Sequence, residues 1–233
     1  MRRSVVAAAS YLGPDGWGND QTGLHPWPSS LEVSAHRGEL EGIHWSMVSD
    51  TDPSRFARMD PMCRLGLMAV EILRVDWDSM PEERRAAVGV CLETCVGSID
   101  TDVRFLQTTR PSLFAYTLPS TLIGEVCIRY RLKGPALCLM GVVDDQSAAL
   151  AEATEWIRDG DAEAAVCVGC EAVDAAVAAS AGLPAGVWPV GGRAGALWLT
   201  EAEGAHPALG PTSEPVIAMA RRLVLGRNSL AAV

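Results

Sequence analysis

An α/β layered domain is the fold class that this sequence predicts. Three observations predict it. Short apolar runs alternate with amphipathic stretches along the chain, which is the pattern of strands and helices packed in layers. The helical stretches carry capping and stop residues at their ends. Finally, 233 residues of which 48% are hydrophobic can bury roughly 70–75% of the unfolded surface around one core. Residues 1–233 therefore read as a single domain.

Taken in order, "SVVAAAS" is a first buried strand. Residues 13–56 are rich in Gly, Pro, Ser and Trp and read as a long irregular excursion. "MDPMCRLGLMAVEIL" then opens a helix, with Asp60 as N-cap and Pro61 at the first helical position. Met62, Leu65, Ala69, Ile72 and Leu73 recur at helical spacing on one face. "AVGVCL" (87–92) is a buried strand, and 97–107 is a short helix with Ile99, Val103 and Leu106 on one side. Residues 119–132 form a third helix and 136–143 a third apolar strand. After it, Ala149, Leu150, Ala153, Trp156 and Ile157 make a regular stripe, capped by Asp144 or Asp145 and ended by Gly160. "AAVCVGC" (164–170) and "AGALWLT" (194–200) are further strands. The C-terminal "EPVIAMARRLVLG" has mixed periodicity and reads as a strand.

Composition excludes several function classes. The formal net charge of −10 argues against a face for nucleic acid or for an anionic membrane surface. No run of 18 apolar residues is long enough to span a bilayer. "MRRSVVAAAS" is mildly like a signal peptide, but its apolar part is short and polar residues follow, so it reads as a buried strand. Seven cysteines, an odd number set in apolar segments, point to a reducing cytoplasm rather than a disulfide framework. Cys167 and Cys170 lie three apart in a strand and so face opposite ways, which suits small hydrophobes better than metal ligands. No metal or cofactor is expected.

The series also resembles the N-terminal half of the β-ketoacyl synthases, condensing enzymes of the thiolase-like fold. "RRSVVAAASYLGPDGWGN" is similar to their opening strand and loop, and "SRFARMDPMCRLGLMAVEIL" to their first long helix with its Arg-Met-Asp-Pro entry. "VGVCLETCVGSID" is similar to the strand and glycine turn that follow, and "LPSTLIGEVCIRYRLKGPALCL" to the helix and Gly-Pro strand leading to the nucleophile. "AEATEWIRDGDAEAAVCVGCEAV" and "VGGRAGALWLTEAE" are similar to the next helix and strand and to the strand closing the first half. The resemblance implies a thiolase-like half: a layered mixed sheet with helices on both faces.

Two departures bear on activity. The family's nucleophile turn falls at 141–146, and counting from Gly134–Pro135 its cysteine position is Val143. The family's two histidines come from a second copy of the fold. This chain's histidines, His25, His36, His44 and His206, lie in no matching motif. Condensation needs a thiolate to carry the acyl group and donors for the developing enolate, so the resemblance implies no catalysis by this chain on its own. Cysteine-less members of the family, called chain length factors, pair with an active synthase. The implied role is that of a partner subunit to a full-length β-ketoacyl-carrier-protein synthase, in polyketide, aryl polyene or fatty-acid-type biosynthesis. The acyl carrier protein is then reached through the partner.

On that reading strand 137–142 is the edge shared with the partner, through Leu137, Leu139, Met140 and Val142. Ile99, Val103, Leu106, Leu113, Phe114 and Tyr116 are candidate gates of an acyl tunnel, with ordinary core residues as the alternative. Two other functions stay open. One is a homodimeric acyl-binding or scaffold protein, since the same edge can pair with itself. The other is an independent enzyme using Asp144 and Asp145, with Glu93 and Glu125 as further acids.

Overall fold

The computed structural model describes residues 4–26, 45–49, 55–141, 148–180, 182, 191–201 and 215–228. Val142, Val143, Asp144, Asp145, His36, His44 and His206 lie outside the described residues. In chain order the elements are β1 (Ser4–Gly13), β2 (Gly16–Asn19), β3 (Gly23–His25), α1 (Pro61–Ile72), α2 (Glu82–Ala86), β4 (Val88–Thr94), α3 (Ile99–Thr108), α4 (Pro111–Phe114), α5 (Thr121–Tyr130), β5 (Ala136–Met140), α6 (Ala148–Asp159), β6 (Ala164–Val173), α7 (Ala175–Ser180), β7 (Gly191–Glu201) and α8 (Val216–Asn228).

The strands form one sheet in the order β3-β2-β1-β7-β6-β4-β5. β5, β4 and β6 run parallel, whereas β7 is antiparallel to both β6 and β1. The sheet is therefore mixed, and it gathers strands from both ends of the chain. Period-two alternation then sorts the side chains. Leu12, Leu92, Val166 and Trp198 face the layer of α1 and α5. Ala9, Cys91, Cys167 and Leu197 face the layer of α6 and α8. Cys167 and Cys170 do fall in opposite cores, and each thiol faces a backbone carbonyl, Ala149 O at 3.6 Å and Met62 O at 3.3 Å.

Helix α1 starts as its local chemistry dictates. Asp60 Oδ1 accepts from the Cys63 amide at 2.8 Å, with Pro61 just inside. Nine of its twelve residues are buried, because it lies between the sheet and α5. The stripe of α6 is buried throughout. Its Trp156 ring rests on Gly89 of β4, and its indole N–H donates to Glu152 Oε1 at 2.9 Å. Gly160 ends the helix with φ of 86°.

Two expectations fail here. The excursion over 13–56 contains the hairpin strands β2 and β3, paired antiparallel beside β1. Buried Asn19 fastens that hairpin: its side-chain amide donates to Ile72 O at 2.8 Å, and its Oδ1 accepts from the Thr22 amide at 2.8 Å. The second correction concerns the C-terminus, which is helix α8 and not a strand. Val216, Ile217, Met219, Ala220 and Val224 are its buried side, a helical spacing. Without that helix the α6-side faces of β1 and β7 would lie bare. Arg221 adds two hydrogen bonds to Asp15 Oδ2, at 2.8 and 2.6 Å, which tie α8 to the β1–β2 turn.

Candidate functional site

Strand β5 ends the sheet, with β4 on one side and no described strand on the other. Its sequence, Ala-Leu-Cys-Leu-Met, carries no charge. Leu137 and Leu139 are half-buried and pack towards α6, while Met140 is 60% exposed. An uncharged open edge is a template for another strand.

Beside this edge stands an arm made of α3 and α4. Its attachment is polar. Asp60 Oδ2 accepts from the Thr101 hydroxyl at 2.9 Å, and Asp100 Oδ1 accepts from the Asp174 amide at 3.0 Å. Asp100 and Thr101 are the buried residues of α3. Its apolar residues therefore look outward: Ile99 and Val103 are half-buried, and Leu106 is 77% exposed. Phe105 and Phe114 touch with ring centroids 5.6 Å apart. Leu113 is half-buried, whereas Phe114 and Leu118 are each 64% exposed. Gly97 joins arm to edge: a Cβ there would stand 2.9 Å from Pro119 Cγ and 3.1 Å from Met140 Cε. Tyr116 differs from the other five gate candidates. It is buried in the core of α1 and α5, and its hydroxyl donates to Glu125 Oε1 at 3.3 Å.

Buried acids organise the ends of the parallel strands, and the sequence alone gives no sign of their roles. Glu171 on β6 accepts from the amides of Cys95 at 2.6 Å and Val96 at 3.2 Å, and from the Thr94 hydroxyl at 3.2 Å. It thereby holds the turn that leads from β4 into the arm. Burial raises its carboxyl above the ordinary value, and burial does the same to Asp100. Glu93 accepts from Val216 N at 2.7 Å and Ala149 N at 3.4 Å, so one carboxylate meets the first turns of α8 and α6. Glu125 lies on the other side of the sheet, against Arg55 at 3.1 Å. Glu93 and Glu125 therefore do not form a carboxylate pair.

Burial pushes the thiols of Cys63, Cys127, Cys138, Cys167 and Cys170 up, and that of Cys91 up to about 12. That is the opposite of an activated nucleophile. All seven cysteines are free. Among the described residues no cluster of His, Cys, Asp or Glu is arranged for a metal ion, and no helix is long and apolar enough to cross a membrane.

This geometry can be set beside known proteins. A comparison with curated protein sequences gives no match. Among solved structures, the chain resembles "The ishigamide ketosynthase/chain length factor" with a TM-score of 0.65 at 20% identity, covering 87% of this chain and 63% of that one. It resembles a chain of the ketosynthase in complex with its chain length factor from Xenorhabdus doucetiae with a TM-score of 0.62 at 14% identity, covering 97% and 91%. It also resembles the complex of a type II PKS acyl-carrier protein with its ketosynthase, with a TM-score of 0.61 at 18% identity, covering 86% and 63%. The chain thus spans less than two thirds of the first and third of these and nearly all of the second. The fold is that of the ketosynthases. The family described as the β-ketoacyl synthase N-terminal domain matches residues 41–185, and the chain belongs to that family.

Proposed function

We propose that the chain is a non-catalytic partner subunit, of the chain-length-factor kind, of a β-ketoacyl-carrier-protein synthase in polyketide, aryl polyene or fatty-acid-type biosynthesis. One observation carries this reading. Among the described residues, the large hydrophobic side chains that stand exposed, Leu106, Phe114, Leu118, Ile128 and Met140, all fall in the segment 106–140, which ends in the open edge strand β5. Exposed apolar surface concentrated in one place marks a contact with another molecule. The proteins that share the fold include a ketosynthase with its chain length factor, and the chain matched in that complex is about as long as this one.

The chemistry supports the same reading. On the resemblance, the family's nucleophile position falls at Val143, and six thiols are shifted away from the reactive form. Without an acyl-enzyme the chain cannot condense, so turnover belongs to the partner. Leu137, Leu139 and Met140 then line the shared edge, with Val142, outside the described residues, as the fourth candidate. Ile99, Val103, Leu106, Leu113 and Phe114, on the arm beside that edge, are the residues we assign to the wall of the partner's acyl tunnel. Tyr116, being core, drops out of that set. Residues 1–233 act as one domain, since one sheet gathers strands from both ends, and the free thiols fit a cytoplasmic protein.

Co-expression with synthases encoded near the gene, followed by affinity capture of this chain, tests the proposal. A synthase captured in equal amount is the expected result. Capture of none of them, together with acyl transfer to a cysteine of this chain, overturns it.

A further inference from the structure

The arm of α3 and α4 is held to the body by few and polar contacts. Over residues 99–115 the buried residues are Asp100 and Thr101. Helix α6, of similar length, buries Ala149, Leu150, Ala153, Trp156 and Ile157. A helix of ten residues is marginal in water, and packing of an apolar face is what holds such a helix in a protein. On α3 the apolar residues are half-buried or exposed, so its place depends on hydrogen bonds.

Two hydrogen bonds make the latch. The Thr101 hydroxyl donates to Asp60 Oδ2 at 2.9 Å, and the Asp174 amide donates to Asp100 Oδ1 at 3.0 Å. Both partners also cap other helices. Asp60 Oδ1 accepts from the Cys63 amide at the head of α1, and Asp174 Oδ1 accepts from the amides of Ala176 and Val177 at the head of α7. Each such bond contributes little net stability. Past Thr101 the chain is next buried at Tyr116. In between, the Phe105 and Phe114 rings touch each other, so α3 and α4 hold together as a unit. Gly97, with φ of 58°, stands at one end of that unit. Thr109 between the helices has φ of 50°, a costly conformation for a β-branched residue and of a kind that collects in segments that switch.

We propose that residues 99–115 are a strap that opens and closes as one unit. In the lone chain it leaves the body by breaking the latch at Asp100 and Thr101, turning about Gly97 and the anchor at Tyr116. In a complex it is held closed, because its outward apolar side chains gain cover. The opening rests on the fold, and the closing rests on the partner-subunit reading. The gate candidates Ile99, Val103, Leu106, Leu113 and Phe114 then reach their final positions only with the partner in place.

Amide hydrogen exchange read by mass spectrometry tests this. In the lone chain, peptides of α3 and α4 should exchange about a hundredfold or more faster than those of α1 and α6, through an opening that low denaturant leaves unchanged. Thr101→Val cuts one latch and should speed α3 and α4 together by about tenfold, with α6 unchanged. In complex with a synthase from the same gene neighbourhood, the same peptides should become protected. Protection of α3 equal to that of α6 in the lone wild-type chain overturns the inference, whether or not a synthase binds. A complex in which the arm exchanges as freely as before also overturns it, and the partner reading then stands. If no synthase binds, the partner reading fails and the closing with it, while the lone-chain rates still decide the opening.

Discussion

At Glu171 one carboxylate gathers three donors of the turn between β4 and α3. That turn sets the arm, so a residue in the core fixes a surface 75 positions away in sequence. Its burial has a consequence for pH. The folded state holds this proton more tightly than the unfolded chain, whose glutamate has the ordinary value of 4.5. The stability that the proton contributes is complete below that pH and is lost as pH rises through the raised folded value. Glu171→Gln should flatten that part of the stability profile in a denaturant series above about pH 4.5; an unchanged profile would contradict the burial argument. The thiols give a second test. Iodoacetamide at neutral pH should leave Cys63, Cys91, Cys167 and Cys170 unmodified until the chain unfolds, as mass spectrometry can read. Asp60 as a cap was legible because cap and amide lie three residues apart. Glu93 and Glu171 were not, because their partners lie 56 to 123 positions away, in other elements.

Elements whose burial follows a regular period could be read from the sequence, and those built on small residues could not. Helix α6 has an unbroken stripe, and its structure follows that stripe. Trp156→Ala should cost about 3–5 kcal/mol in equilibrium unfolding, since the indole fills the space over Gly89. A loss under about 0.5 kcal/mol would mean that the ring packs against nothing that matters. β2 escaped notice because Gly-Trp-Gly-Asn has no apolar alternation. Gly18 is there for closeness: a Cβ would stand 1.9 Å from the Gly23 carbonyl oxygen. The run in α8 fits either period, and only the uncovered faces of β1 and β7 decide for a helix. In α3 the apolar period was legible, but the sequence left open whether it marks gate residues or ordinary core. The helix is fastened by Asp100 and Thr101, which leaves Ile99, Val103 and Leu106 for the outside.

Across the whole molecule both faces of the sheet are covered. α1 and α5 close one side, and α6 and α8 close the other. The outer side of α6 is polar, with Arg158 paired to Glu155 and Asp159, as suits a solvent face. The far edge, β3, is three residues long and lies beside α8, a short edge of the kind that discourages pairing. What is left is β5 with its arm. Met140→Asp and Phe114→Asp, both at exposed positions, should leave the lone chain's melting temperature nearly unchanged and break the proposed complex with a synthase. Melting that falls by many degrees with either change would place these side chains in the fold instead. The central claim, that this chain shapes another protein's catalysis without performing any, is tested most directly by reconstitution. A synthase from the same gene neighbourhood is assayed for chain elongation alone, with the wild-type chain, and with the Phe114→Asp variant. The account predicts that the wild-type chain raises the synthase's rate or changes its product length, and that the variant does neither. A synthase whose rate and products are the same in all three assays would contradict it.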